Sequence, residues 1–284
     1  MSHPVANIFR EVAEINRSDS RRKGQMLLVG PDKEIMLSGD LHGRRMNLNK
    51  IIAHADLGNH PDRILILQEL VHGPLDEKTG YDRSIELLMR AGRLKKQFPE
   101  QVILLLSNHD LAQATGREIS KKGFDSCKEF VRGAREMFGD DTDEIIDAMN
   151  ELLLSQPMIV RCANGTFISH TLPSPNRMAA AGYDILSSDS YDEASCLRGG
   201  AVYEWLWGRG HTDKQVEQMS QSLGVEFFLM GHTPTSNGWE LTTPQSMIVM
   251  SDHQMGHIIT FRTDEPLDSE KAIESLTPLF KLGR

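Results

Sequence analysis

The sequence predicts a layered α/β fold in which mixed β-structure is flanked by helices. Two short apolar runs, at 64–67 and 102–106, are bounded by polar residues, which is typical of strands buried on both faces. Apolar residues at helical spacing recur around them, as in 84–98. The chain shows no internal repeat, low-complexity tract or flexible linker, so we expect one domain over residues 1–284.

Composition narrows the classes of protein to which the chain can belong. The 284 residues carry a formal net charge of −9, which does not attract nucleic acid or an anionic membrane surface. We therefore expect neither as a partner. No apolar run approaches the length of a membrane span, and the N-terminus lacks the apolar core of a secretory leader. The three cysteines form no CxxC pair, which predicts a reducing, cytoplasmic location.

The elements of the first half follow from periodicity and turn signals. An amphipathic helix is predicted over about 5–18. Apolar runs at 26–30 and 35–38 flank the turn residues Pro31-Asp32-Lys33, which predicts a hairpin. A helix around Leu48 follows before the first fully buried strand.

The second half begins with a predicted helical insertion over about 111–156. A capping-box pattern at Asp141–Glu144 suggests the start of a helix inside it. Residues 171–200 are rich in Pro, Ser, Asp and Gly and predict a long loop. The other predicted elements are a hairpin of 158–161 and 166–169, a helix near 212–223, and strands at 225–230 and 247–250.

Residues that can bind a metal follow the ends of five predicted strands. A single such histidine is more often an ordinary hydrogen-bonded residue, but five strand ends at one rim are a stronger signal. Carboxylate, imidazole and amide oxygen ligands suit manganese, iron or zinc, and two ions about 3.5–4 Å apart serve phosphoryl chemistry. The alternative is that these strand ends are only structural. The residues are Asp40, His42, Glu69, Asn108, His109, His170 and His232.

The order of these motifs resembles the metallophosphoesterase (calcineurin-like) superfamily. That family shows GDxHG, GDxxDRG, GNHE or GNHD, a later HGG and GH; this chain has GDLHG, QE, SNHD, SHT and GHT in the same order. The resemblance covers about 35–262 and is greatest to the branch of serine/threonine protein phosphatases and diadenosine-tetraphosphate hydrolases. It implies the calcineurin-like fold, a central mixed β-sandwich flanked by helices.

The resemblance also implies a dinuclear site. By position, Asp40 and His42 would bind the first ion, and Glu69 would bridge to the second. His109 would be the general acid for the leaving oxygen, and a metal-bridged hydroxide would attack phosphorus. Manganese is the favoured metal, with iron, zinc or magnesium as alternatives. The other implied ligands of the second ion are Asn108, His170 and His232.

The second family motif, GDxxDRG, is altered here. Gln68 stands for its glycine, Glu69 for its first aspartate and His72 for its second, and the arginine is missing. The extra methylene of glutamate moves the carboxylate by about 1.5 Å, the length of one C–C bond. Glu69 therefore either bridges both ions or holds only one of them.

Three residues are candidates for the roles that this alteration leaves open. Asp82 and Arg83 follow an apparent insertion and are candidate replacements for the lost Asp and Arg; the alternative is that Arg83 only begins a surface helix. Arg209 is a candidate phosphate contact, with a surface ion pair as the alternative.

The sequence thus predicts a metal-dependent phosphoesterase that hydrolyses phosphate monoesters. The phosphorylated substrate is a protein or a small molecule such as a nucleotide. The altered Gln68-Glu69 pair motivates an alternative from another class. In that alternative the chain is a catalytically impaired family member that acts as a metal- or phosphate-binding interaction module.

Overall fold

The computed structural model describes residues 2–121 and 124–283. Helices account for much of this part of the chain, and several of them coincide with the predicted amphipathic segments. The α-helices of the described residues are α1 (Pro4–Arg17), α2 (Arg45–Ala55), α3 (Ile85–Gln97), α4 (Asn108–Ala114), α5 (Ser126–Phe138), α6 (Thr142–Ser155), α7 (Met178–Ala181), α8 (Asp184–Ser187), α9 (Ala201–Trp207), α10 (Asp213–Leu223) and α11 (Ser269–Glu274).

The strands form two large sheets and a small hairpin. They are β1 (Arg22–Lys23), β2 (Met26–Val29), β3 (Glu34–Asp40), β4 (Arg63–Gln68), β5 (Val102–Leu105), β6 (Ser120–Lys121), β7 (Phe124–Asp125), β8 (Ile159–Cys162), β9 (Thr166–Ser169), β10 (Phe227–Met230), β11 (Trp239–Thr243), β12 (Ser246–Val249), β13 (His257–Arg262) and β14 (Leu276–Pro278). One sheet has the strand order β1-β2-β8-β9-β10-β12-β11 and the other β14-β13-β3-β4-β5, while β6 pairs with β7. Both large sheets mix parallel and antiparallel pairs.

The two large sheets pack face to face. In β3, Ile35 and Leu37 point into the core between the sheets, where they meet residues such as Val249 of β12. Met36, between them, points to the opposite face and packs with the helices. This period-2 alternation explains why the strand is apolar throughout, because both of its faces are covered.

Helices cover the outer face of each sheet. Helices α1, α2, α3 and α6 pack on the sheet that contains β3, β4 and β5, whereas α9 and α10 pack on the sheet that contains β9 and β10. The architecture is therefore helix, sheet, sheet, helix. It confirms the predicted layered α/β fold with a central mixed sandwich.

The predicted hairpin around Pro31 is wrong. Strand β2 pairs with β1 and β8 in one sheet, and β3 pairs with β4 and β13 in the other. The connection crosses from sheet to sheet, and both strands direct apolar residues, such as Leu27 and Ile35, into the shared core. The hairpin of β8 and β9 is confirmed.

The predicted capping box at Asp141–Glu144 is also wrong. Asp141 precedes α6 without a side-chain cap, and the Glu144 carboxylate accepts from the backbone N of His3 instead. A capping box forms at α4, between Ser107 and Asp110. Asn108 and His109 consequently lie in the first turn of a helix rather than on a strand.

The two sheets converge at the carboxyl end of β3. A Cβ on Gly39 would lie 1.9 Å from the carbonyl oxygen of Val249, so only glycine permits this approach. The next residue, Asp40, forms a β-bridge with Met250 across the sheets. In the part of the chain that the structure describes, no helix is long and apolar enough to cross a membrane.

Candidate metal centre

Two groups of potential metal ligands meet at the ends of β3, β4, β9 and β10 and at the start of α4. One consists of His42, Glu69 and His109, and the other of Glu69, His170 and His232. Within each group the ligand atoms lie within 4.8 Å of one another. Glu69 belongs to both groups, which is the arrangement that a bridging carboxylate requires.

The two carboxylate oxygens of Glu69 face different partners. Oε1 accepts hydrogen bonds from Oγ of Ser107 at 3.0 Å and from the backbone N of His109 at 3.2 Å. Oε2 lies 2.9 Å from Nε2 of His170. The carboxylate is buried, and these contacts hold it from two sides.

The capping box of α4 positions two of these residues. Oγ of Ser107 accepts from the backbone N of Asp110, and Oδ2 of Asp110 accepts from the backbone N of Ser107, both at 3.2 Å. This fixes the first turn, which carries Asn108 and His109. Burial, with a smaller effect from the charge of Glu69, raises the pKa of Asp110 to about 7.

Gln68 determines which nitrogen of His170 can coordinate an ion. Nε2 of Gln68 donates to the carbonyl oxygen of Ser38 at 3.2 Å, so its Oε1 faces Nδ1 of His170, at 2.9 Å. A carbonyl oxygen only accepts, so Nδ1 carries the proton. Burial lowers the pKa of His170, which favours the neutral ring with a lone pair on Nε2.

That lone pair lies among other acceptors. Nε2 of His170 is 2.7 Å from Oδ1 of Asn108 and 2.9 Å from Oε2 of Glu69. Nδ1 of His232 is 3.1 Å from the same Asn108 oxygen. Nε2 of His170 and the oxygens of Asn108 and Glu69 are all acceptors in this state and repel one another unless a cation lies among them, so these three residues fit a divalent ion.

The surroundings of His232 favour its neutral imidazole. Burial keeps the pKa of His232 well below its ordinary value, and the nearby His170 and Arg209 lower that pKa further. Its backbone N donates to both carboxylate oxygens of Asp40, at 3.1 and 3.0 Å. A neutral imidazole is the form that binds metals.

Asp40 lies beside the two groups and is a member of neither among the described residues. Its Oδ1 is 3.8 Å from Nδ1 of His170, the nitrogen that faces away from Asn108. A Cβ on Gly231 would lie 2.2 Å from this oxygen, so any other residue there would displace the Asp40 carboxylate. Burial, followed by the charge of Glu69, raises the pKa of Asp40 to about 7.

His109 has a partner that the sequence did not predict. Its Nδ1 lies 2.8 Å from Nδ1 of His72, and Nε2 of His72 lies 2.9 Å from Oε1 of Gln113. The rings of His109 and His42 meet edge to face, with centroids 4.9 Å apart. The altered family motif marked His72 as unusual, but no local pattern connected it with Gln113.

The three remaining candidates are placed differently. The Asp82 carboxylate accepts from the backbone N of Ser84 at 2.7 Å, and the guanidinium of Arg83 pairs with Glu86. These contacts do not support a catalytic role for either residue, which stays a prediction. Arg209, by contrast, lines the site cavity and lies 3.4 Å from Oγ1 of Thr233.

The site opens into a cavity of 220 Å³. This volume accommodates a phosphate group and part of its ester, and a large ligand would extend beyond it. The cavity is lined by His42, Glu69, Asn108, His109, Ile119, Arg209, His232 and Pro234.

Strained backbone is concentrated here. Six described residues other than glycine have a positive φ, and four of them are at the site. Each costs about 1–3 kcal/mol and persists only when the surrounding structure imposes it. Such clustering is typical of functional sites. The four are His42, Glu69, His72 and His232, with φ of 38°, 50°, 57° and 66°.

Comparison with known proteins shows similarity in structure alone. No family model and no curated protein matches the chain. A serine/threonine phosphatase from Saccharomyces cerevisiae superposes with a TM-score of 0.66 and 16% identity, over 90% of this chain and 81% of that one. A cold-active protein-tyrosine phosphatase from a Shewanella species gives 0.59 and 14%, over 88% and 80%. At these identities the comparison shows the fold.

Proposed function

We propose that the protein is a metal-dependent phosphoesterase of the metallophosphoesterase superfamily that hydrolyses phosphate monoesters. The observation that carries the proposal is the carboxylate of Glu69, which is shared by two groups of potential metal ligands. The fold, similar to that of two kinds of protein phosphatase, and the order of the sequence motifs support it.

Two divalent ions, manganese in the first place, fit the donor set. Asp40, which lies beside the two groups, would join His42 and Glu69 at one ion, and His109 of that group would serve as the general acid instead of a ligand. Glu69 would also serve the other ion. When bound, the ions supply an activated water and neutralise charge on the phosphate oxygens. The remaining proposed ligands of the second ion are Asn108, His170 and His232.

The chain's own residues supply the other functions. Arg209 binds a phosphate oxygen at the cavity wall, where its guanidinium offers paired N–H donors. His109 protonates the leaving oxygen as that bond breaks. Because the cavity is small, most of a large substrate would rest on the surface around it.

The domain organisation, location and partners of the protein are proposed from its sequence composition. We infer a single domain over residues 1–284 that acts in the cytoplasm on a phosphorylated protein or nucleotide. The net charge of −9 supports the view that neither nucleic acid nor a membrane is a partner.

The first test is hydrolysis of p-nitrophenyl phosphate by chelator-stripped protein that is titrated with Mn²⁺. We expect turnover that depends on the metal and is lost in Asn108→Ala, which removes the oxygen 2.7 Å from Nε2 of His170. Asn59→Ala, at an exposed position, is the matched control. Manganese binding without turnover would overturn the proposal and favour the interaction module.

A second assay addresses the substrate class. Phosphoserine, phosphothreonine and phosphotyrosine peptides and a dinucleoside polyphosphate would be compared by kcat/KM at saturating Mn²⁺. We expect the highest value with one of the phosphopeptides. A clear preference for the dinucleoside polyphosphate would instead assign a nucleotide substrate.

A further inference from the structure

The side chain that faces His109 in this chain is a second histidine, His72, which in turn contacts the amide of Gln113. Nδ1 of His72 lies 2.8 Å from Nδ1 of His109, and Nε2 of His72 lies 2.9 Å from Oε1 of Gln113. All three side chains are buried. The resemblance leads one to expect an aspartate in the position of His72.

Helix geometry makes this arrangement possible. His109 and Gln113 are four residues apart on α4, so their side chains lie on one face of the helix. The ring of His72 fits between them and touches both. Phe130 of α5 packs edge to face on His72, with centroids 5.7 Å apart, so α5 helps to fix the ring.

The hydrogen bonds determine where each proton lies. An amide oxygen only accepts, so Nε2 of His72 donates to Gln113. Nδ1 of His72 then carries a lone pair and accepts from Nδ1–H of His109. Nδ1 of His109 is thus engaged with His72, and we assign Nε2 as the nitrogen that serves the substrate.

We propose that His72 and Gln113 are positioning residues that replace a carboxylate by a neutral hydrogen-bonded pair and thereby set the orientation and tautomer of His109. This inference rests on the proposed function. In the reaction, His109 is doubly protonated; its Nε2–H passes to the leaving oxygen as the P–O bond breaks, and the ring becomes the neutral Nδ1–H tautomer that His72 favours. The ring keeps its Nδ1–H, and the bond to His72 stays in place.

The surroundings explain why a neutral pair is suitable. Glu69, Asp40 and Asp110 already place three carboxyl groups in this buried region. An aspartate at position 72 would add a fourth, with a further desolvation cost and further repulsion. The imidazole of His72, held by the amide of Gln113, accepts the hydrogen bond from His109 without adding that charge.

Gln113→Leu and Gln113→Glu separate the proposed role from simple packing. Leucine fills much of the same space without an acceptor, whereas glutamate keeps one. We expect Gln113→Leu to lower kcat for phenyl phosphate, a poor leaving group, about 10-fold or more, and to lower it much less for p-nitrophenyl phosphate. The KM values should change little. Gln113→Glu keeps an acceptor but adds a fourth carboxyl group, so we expect it to lose less activity on phenyl phosphate than Gln113→Leu does. An equal loss on both esters would overturn the inference.

¹⁵N NMR of histidine-labelled protein tests the tautomer without any turnover. We expect His72 to be protonated at Nε2 and unprotonated at Nδ1 in the wild type, and to lose this preference in Gln113→Leu. The opposite tautomer in the wild type would overturn the inference. Absence of all phosphatase activity would instead refute the proposed function. The spectrum would still report on the hydrogen bonds among His109, His72 and Gln113.

Discussion

Oε2 of Glu69 lies 2.9 Å from Nε2 of His170, while Oε1 of the same carboxylate accepts from Ser107 and His109. One side chain therefore links the second ligand group to the helix that carries Asn108. The length of the glutamate matters because these contacts lie on opposite sides of its carboxylate. Both oxygens of Glu69 thus make contacts that depend on the length of a glutamate side chain.

Shortening this side chain should weaken the site. In Glu69→Asp the carboxylate retracts by about 1.5 Å, so it cannot keep both sets of contacts. We expect at least a 10-fold rise in the Kd for Mn²⁺ and a fall in turnover, measured by calorimetry and by p-nitrophenyl phosphate hydrolysis. Glu69→Gln, which keeps the length and removes the charge, separates the two effects. A gain in turnover for the aspartate variant would contradict this prediction and mark the natural site as degraded.

Gln68 should affect metal binding without contacting the metal. Its Oε1 holds the proton on Nδ1 of His170, so Gln68→Leu frees the ring to take the other tautomer. We expect affinity for one of two bound ions to fall about 10- to 100-fold in a calorimetric titration with Mn²⁺. Gln221→Leu, the same change at an exposed site on α10, should have no effect. Unchanged affinity in Gln68→Leu would show that His170 needs no such partner.

Arg209 should contribute to substrate binding. Its guanidinium is at the wall of the cavity, so Arg209→Ala removes charge-assisted hydrogen bonds to phosphate. We expect KM for phosphate esters to rise about 10-fold or more in Arg209→Ala. The KM of Arg209→Lys should lie between those of the wild type and Arg209→Ala. Arg161→Ala, which removes a hydrogen bond to the Gly224 carbonyl, is the control. A KM unchanged in Arg209→Ala would assign Arg209 to the surface ion-pair alternative.

Asp82 gives the protein a defined pH dependence of stability. Burial raises its pKa from 3.8 to about 6, so the folded state binds this proton more tightly than the unfolded state does. Stability from this residue is therefore present below pH 4 and is lost as the pH rises from about 4 to 6. The loss amounts to about 3 kcal/mol.

Asp82→Asn keeps an oxygen that can accept from Ser84 and removes the titration. In urea unfolding we expect it to be more stable than the wild type at pH 7 and to lose that advantage at pH 4. Asp189→Asn, at an exposed position, should show neither effect. A large loss of phosphatase turnover in Asp82→Asn would support the catalytic role that the sequence predicted for this residue.

The elements that periodicity specifies were predicted from the sequence. Helix α1, helix α3 and strands β4 and β5 match their predictions within a residue or two. Hydrophobic spacing identifies the buried faces of such segments directly. The same spacing does not show which element packs against a buried face or pairs with a strand. For this reason β2 and β3 were wrongly predicted to pair, although they belong to different sheets.

The candidate site divides in the same way. The sequence supplied the candidate ligand types and their order, from Asp40 to His232, because each follows the end of a predicted strand. The contact of Gln68 with His170 spans 102 positions and that of Glu69 with Ser107 spans 38. No local pattern encodes such a contact.

The sequence by itself determined the layered α/β class, the candidate ligand residues and the unusual glutamate at position 69. The tertiary structure alone decided that Glu69 is shared between two groups of potential ligands, that His72 contacts both His109 and Gln113, and that the Asp82 carboxylate accepts from the backbone of Ser84. The physical reason is the range of the interactions. Spacing along the chain fixes which side of an element is buried, whereas the distance between side chains from separate elements depends on how the two sheets and their helices pack.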